Sequence, residues 1–270
     1  IAAHYDLGNE FYAAWLDPTM TYSSAVFDAG EEALEAAQAR KYDTILEDLA
    51  PAPGARLLEI GCGWGGFAEH AAKRTDCRIV GVTVSRAQHD FAAARIQAAG
   101  LADKVEIRLQ DYRDVEPSAF DGIASIEMFE AVGERHWPTF FGKVRDTLKP
   151  GGRAAMQIIT IADHLFDDYR RGADFIQKYI FPGGMLPSPS ILASRIEDAG
   201  LKPAGSSYFG DDYARTLAEW NRRFQTAWPS LSKMGFDERF RRMWTFYLAY
   251  CEGGFAAGSI DVGRFAIQRP

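Results

Sequence analysis

Apolar positions in this chain switch between helical spacing and short continuous runs. Leu34, Ala37, Tyr42, Ile45 and Leu49 recur at helical spacing, so residues 31–50 predict a helix that Pro51, Pro53 and Gly54 stop. RLLEI then reads as a short buried strand, followed by a glycine-rich turn and a helix in GCGWGGFAEHAAKR. CRIVGVTVS predicts a second strand, and SRAQHDFAAARIQAAG a second helix closed by Gly100. VEIRLQD gives a third strand and FDGIASIEMF a fourth. HWPTFFGKVRDTLKPGG predicts a helix ending at Pro150-Gly151-Gly152, and RAAMQIITI a fifth strand.

Strands alternating with helices specify an α/β fold, a doubly wound Rossmann-like parallel sheet with helices on both faces. Ligands of such sheets bind at the carboxyl ends of the strands. The alternation stops after residue 162. The expected division is an N-terminal helical segment at 1–50, a cofactor-binding α/β core at 51–162, a helical lid insertion at 163–255, and a C-terminal strand at 256–270 that returns to the sheet. The lid is rich in aromatics, among them Phe175, Phe224, Trp228, Trp244, Phe246 and Tyr247, a composition suited to a long apolar tunnel or to ordinary core packing.

Composition narrows the function classes. The 270 residues are 47% hydrophobic and 25% charged, enough to bury a substantial core. The net charge of −7 argues against broad nucleic-acid binding, so no nucleic-acid partner is expected. Cys62, Cys77 and Cys251 are odd in number and far apart, which points to a reducing compartment and neither a disulfide framework nor a zinc site; no metal is expected. No apolar run is long enough to span a bilayer. Ile1 rather than Met opens the chain, so residues are expected before it.

EIGCGWGG places Gly61, Gly63, Gly65 and Gly66 directly after a strand, where the backbone turns sharply and approaches a ligand. The glycines at 61, 63 and 66 also satisfy the dinucleotide spacing, but the acid expected at the end of the second strand is missing; Thr83 and Gln88 stand there instead. Glu59, two residues before the loop, suits the ammonium of S-adenosylmethionine. A dehydrogenase is thereby disfavoured, and a ligand-free turn is the plain alternative.

The chain resembles the cyclopropane-fatty-acyl-phospholipid synthase family, which includes the mycolic acid cyclopropane synthases. HYDLGNEFYAAWLDPTMTYSSAVF, LLEIGCGWGGFAEHAA, VGVTVSRAQ, MFEAVGERHW, KYIFPGGMLPS and YLAYCEGGFAAGSIDVGRFAI match family segments in order. The resemblance implies a methyltransferase fold and a cofactor site. Tyr22 and Ser23 would contact S-adenosylmethionine; Gly61, Gly63, Trp64 and Gly65 belong to its loop; Thr83 and Gln88 would bind the ribose; Asp111 and Tyr112 would flank the adenine. It also implies a bicarbonate ion acting as base, held by Ser24, Glu130, Gln157, Ile159 and Tyr213. Three positions depart from the family pattern: Ser24 replaces a cysteine, Gln157 a histidine, and Ala131 a further histidine. Serine and glutamine still offer hydrogen bonds to an oxyanion, but glutamine does not titrate near neutral pH.

The implied activity is methyl(ene) transfer from S-adenosylmethionine to the double bond of an unsaturated phospholipid acyl chain. Two products stand open, a cyclopropane and a methyl-branched or furan precursor made without ring closure. A small-molecule methyltransferase and a degenerate lipid-binding module are the rivals; the intact glycines and Glu130 oppose the latter. A lipid substrate implies a cytoplasmic protein, peripheral at the inner membrane face. KYIFPGGMLPS and the pairs Arg170-Arg171, Arg222-Arg223 and Arg241-Arg242 suit such contact, unless the arginines pair with local acids. A homodimer is compatible with the resemblance.

Overall fold

The computed structural model describes residues 7–28, 30 and 32–270. The start of the HYDLGNEFY segment and Glu31, at the head of the expected first helix, lie outside the described residues. Seven strands form one sheet: β1 Arg56–Ile60, β2 Arg78–Thr83, β3 Val105–Leu109, β4 Phe120–Ile126, β5 Leu148–Ile161, β6 Lys202–Tyr208 and β7 Ile260–Gln268. Their order is β3-β2-β1-β4-β5-β7-β6. The first five strands pair in parallel, whereas β7 runs antiparallel between β5 and β6. The sheet is therefore mixed rather than wholly parallel.

The nine α-helices among the described residues are α1 Asn9–Ala13, α2 Leu34–Leu49, α3 Gly66–Arg74, α4 Arg86–Ala98, α5 Trp137–Thr147, α6 Asp163–Arg171, α7 Pro189–Asp198, α8 Gly210–Leu231 and α9 Glu238–Ala256. Local sequence explains their ends. Ala50 takes a left-handed conformation that ends α2 before Pro51. The Ser85 side chain accepts the Gln88 N–H to start α4, and Asp237 accepts the Phe240 N–H to start α9.

Central strand β1 buries Leu57, Leu58 and Ile60, as a parallel strand covered on both faces must. Phe140, Phe141 and Val144 of α5 pack on one face of the sheet, and Ile45, Leu49, Phe67 and Ala71 of α2 and α3 on the other. A third core joins the opening stretch to α8 and α9 through Phe11, Trp15, Trp220, Phe224 and Trp244.

Two further expectations change. The helix over HWPTFFGKVRDT ends at Thr147, and Lys149-Pro150-Gly151-Gly152 belongs to β5, where the pairing with β4 shifts register between Phe120 and Gly122. The segment 163–255 is not helical throughout, because β6 closes the sheet edge within it. Its KPAGSSY sequence is exposed at every position, so it carries no buried apolar run to announce a strand.

Candidate active site

A cavity of about 780 Å³ opens at the carboxyl ends of β1, β2 and β4. Tyr22, Ser23, Glu59, Gly61, Gly63, Trp64, Thr83, Gln88, Asp111 and Tyr112 all line it. Gly65 does not: its left-handed backbone caps α3, and a Cβ there would meet Ala92 of α4 at 3.1 Å. That glycine lets α3 and α4 approach closely. A Cβ on Gly61 would lie 2.7 Å from Met128 Cγ, so only glycine lets the β1 turn pass beneath the β4 end. The Thr83 hydroxyl donates to Gln88 Oε1 at 2.9 Å, tying β2 to α4.

Glu59 shows what the cavity accepts. It is buried, its Oε2 has no hydrogen-bond partner among the described residues, and burial holds its pKa well above the usual carboxylate range. An orphaned buried acceptor on a cavity wall calls for a donor from the ligand. The ammonium of an S-adenosylmethionine amino-acid end fits that need.

The cluster expected to hold an oxyanion is differently occupied. Glu127, missed in the sequence reading, places its carboxylate among those donors. Oε1 accepts the Ser24 N–H at 2.7 Å and Gln157 Nε2 at 2.7 Å; Oε2 accepts the Tyr213 hydroxyl at 2.6 Å. The Glu127 N–H also donates to the Gln157 carbonyl at 2.8 Å, and its φ of 50° lies in the left-handed region. This uncommon backbone at the end of β4 turns a side chain that also lines the same cavity towards α8 and β5. Bicarbonate therefore does not fit as expected: three of its assigned partners already hold a carboxylate.

Glu130 lies beside this cluster and reaches Ile159, another member of the expected set. Its Oε1 accepts the Ile159 N–H at 2.6 Å, and its Oε2 is buried without a partner among the described residues. Burial, then the nearby Glu127 charge, pushes its pKa up to about 8. That shift favours the protonated form of Glu130. Burial also raises the Glu127 pKa, but the Tyr213 hydrogen bond, Lys41 and the Ser24 and Gln157 donors oppose that rise. Tyr213 stays a phenol, since burial and the Glu127 charge raise its pKa well above normal. The Ser24 hydroxyl turns away to the Ala25 carbonyl, leaving its N–H for Glu127.

The family model described as Mycolic acid cyclopropane synthetase matches residues 1–265. The chain belongs to the mycolic acid cyclopropane synthetase family. It is 44% identical, over its whole length, to tuberculostearic acid methyltransferase UfaA1 of Mycobacterium tuberculosis, covering 64% of that protein. It is 41% identical, over 98% of its length, to cyclopropane-fatty-acyl-phospholipid synthase of Escherichia coli, covering 66% of it. The chain thus spans about two thirds of the length of these relatives. Its fold matches mycolic acid cyclopropane synthase CmaA1, solved with SAH and CTAB, with a TM-score of 0.92 at 30% identity over 99% of this chain and 96% of that one.

Within this family fold, three of the lid aromatics belong to a packed core. Phe224, Trp244 and Tyr247 are buried against one another and the opening stretch, and the Tyr247 and Tyr22 hydroxyls lie 2.9 Å apart. The paired arginines are largely engaged: Arg170 with Glu134, Arg171 with Asp168, Arg222 and Arg223 with Glu219, and Arg241 with Glu238. Within KYIFPGGMLPS, Ile180 and Met185 are buried while Tyr179 is 63% exposed. No helix among the described residues is long and apolar enough to cross a membrane, and no cluster of metal-binding side chains occurs among them.

Proposed function

We propose that this chain transfers a methyl group from S-adenosylmethionine to the double bond of an unsaturated lipid acyl chain, with Glu127 taking the proton that is then lost. The observation that carries it is the Glu127 carboxylate, which lines the cofactor cavity while Tyr213, Ser24 and Gln157 hold it. S-adenosylmethionine supplies an electrophilic methyl on a sulfonium. The acyl alkene attacks with its π electrons, forming a carbon–carbon bond and leaving a cation on the neighbouring chain carbon. Tyr22 and Trp64, on the cavity wall, offer aromatic faces to such a cation and exclude water. Glu127 then accepts a proton from the substrate and becomes a neutral acid, still bonded to Tyr213.

Bicarbonate has no part in this scheme. The three donors hold the carboxylate in place and oppose the rise in pKa that burial gives it. In the open-chain outcome, which the kinship with UfaA1 supports, a hydride shifts from the methyl-bearing carbon to the cation before Glu127 takes a proton. Loss of a methyl proton then leaves an open methylene-bearing chain, a precursor of methyl-branched lipid once a separate reductant acts. Direct ring closure to a cyclopropane is the second reading, supported by the kinship with the Escherichia coli enzyme.

Substrate access is assigned to an exposed aromatic patch. Tyr179, Phe246 and Tyr250 are 63%, 51% and 44% exposed, and Phe175 packs on Phe246 with ring centroids 4.6 Å apart. Exposed Lys178 and Arg242 flank the patch in sequence. Such a surface suits peripheral docking on anionic lipid at the cytoplasmic face. The test is incubation with methyl-deuterated S-adenosylmethionine and vesicles of unsaturated phospholipid, then mass and NMR analysis of the acyl chains. Gain of a CD2 unit with olefinic signals supports the open-chain product, and upfield ring signals support the cyclopropane. No transfer to lipid contradicts the proposal.

A further inference from the structure

Lys41 is fully buried, and the proton transfer described above makes no use of it. It lies on α2 three residues after Gln38, and both side chains reach Ser23. Lys41 Nζ is 2.5 Å from Ser23 Oγ, while Gln38 Nε2 donates to the Ser23 carbonyl at 3.0 Å. Ser23 is itself buried, on the wall of the cavity that Glu59 also lines.

An ammonium donates hydrogen bonds and cannot accept them. When Lys41 is charged, Ser23 Oγ must accept from it, and the hydroxyl proton of Ser23 is left to point elsewhere. The amino-acid end of S-adenosylmethionine carries both an ammonium and a carboxylate. Glu59 provides the acceptor that the ammonium needs, and the carboxylate needs a donor. We propose that Lys41 is a positioning residue that makes Ser23 a hydrogen-bond donor to the cofactor carboxylate, so that protonation of Lys41 tunes cofactor affinity. The proposal rests on the cavity being the S-adenosylmethionine site.

Around Lys41, Asp17 comes from the turn after α1, Glu59 from β1 and Glu127 from the end of β4. The Tyr42 ring of α2 lies 4.9 Å from Nζ. Burial disfavours the charged amine more strongly than the three carboxylates favour it, and its pKa falls to about 7. A neutral Lys41 has a lone pair that accepts the Ser23 proton. Ser23 then turns only its oxygen to the cavity, where it repels a carboxylate. Cofactor affinity accordingly falls as pH rises through neutrality.

Isothermal titration calorimetry with S-adenosylhomocysteine, which shares the amino-acid end, tests this between about pH 6.5 and 8.5. Wild-type protein is expected to bind about tenfold more weakly at the upper end. Lys41→Met and Ser23→Ala each weaken binding about tenfold at the lower end and flatten the profile, and the double variant binds no worse than Ser23→Ala. Ser23→Ala removes a single oxygen and carries the test if Lys41→Met does not fold. Wild-type affinity and slope in Lys41→Met, or additive losses in the double variant, would overturn the proposal; if only Ser23→Ala folds, a wild-type slope in it does the same. Failure of wild-type protein to bind at any pH would instead overturn the cofactor site, and the role of Lys41 with it.

Discussion

Tyr213 donates its phenolic hydrogen to Glu127 Oε2 at 2.6 Å, joining α8 to the end of β4 across 86 residues of sequence. Glu127 is thereby fixed on the cavity wall by a group that remains protonated. Replacing Glu127 by glutamine keeps the shape but removes the base. Turnover is expected to fall by about a hundredfold or more, while S-adenosylhomocysteine affinity stays within about threefold. Tyr213→Phe removes one donor and lowers turnover by about tenfold; its ring still stacks on Phe255, with centroids 4.4 Å apart, so the fold should survive. Steady-state kinetics and calorimetry on the same samples check both variants. Unchanged turnover in Glu127→Gln would remove it from the chemistry.

Glu130 gives stability a pH dependence. Its pKa is raised from 4.5 to about 8 in the folded protein. Below the unfolded value both states hold the proton and the contribution is fully present. As pH rises, the unfolded chain releases the proton first, and stability drains away until the folded pKa is passed. Each unit of difference is worth about 1.4 kcal/mol. Denaturant melts across this window should show that Glu130→Gln loses part of the wild-type slope and gains relative stability towards alkaline pH. Parallel slopes would count against a buried neutral Glu130.

Glu59→Gln tests the amino-acid end of the cofactor pocket. The amide keeps the size of the side chain but loses the charge offered to an ammonium. S-adenosylhomocysteine binding should weaken by about tenfold to a hundredfold, with no loss of melting temperature, because burial already disfavours the charged carboxylate that the neutral amide replaces. Calorimetry and a thermal melt together read both effects. Undiminished affinity would move the ammonium elsewhere in the cavity.

Phe246 and Tyr250 test the lipid-facing patch. Their rings stack at 5.7 Å on the exposed side of α9, while Tyr247 on the same helix turns inward to Tyr22. Phe246→Ser with Tyr250→Ser should lower flotation with anionic vesicles several-fold and leave S-adenosylhomocysteine binding unchanged. Equal flotation would place the membrane contact elsewhere.

The sheet was readable where strands were apolar and glycines marked a turn. β1 followed by Gly61 and Gly63 announced itself, and most residues expected around the cofactor line one cavity. β6 was hidden because an exposed edge needs no apolar run. Glu127 was hidden for another reason. Its identity was plain, but its direction depends on a left-handed backbone that residue type does not reveal in a glutamate. The family resemblance points instead to Glu130, three residues on. A signal for Lys41 did exist: a lysine on the same face of α2 as Leu34, Ala37 and Ile45 must either be buried or break the pattern.

The most direct test of Glu127 as the built-in base uses bicarbonate itself. Turnover of unsaturated phospholipid is measured in carbon-dioxide-depleted buffer, with and without added bicarbonate, for wild-type protein and Glu127→Ala. The wild type should be indifferent to the ion. The alanine variant should be nearly inactive without it and partly restored by it, since truncation frees the Ser24, Gln157 and Tyr213 donors. Wild-type turnover that rises with bicarbonate, together with an alanine variant that remains active in its absence, would contradict the account.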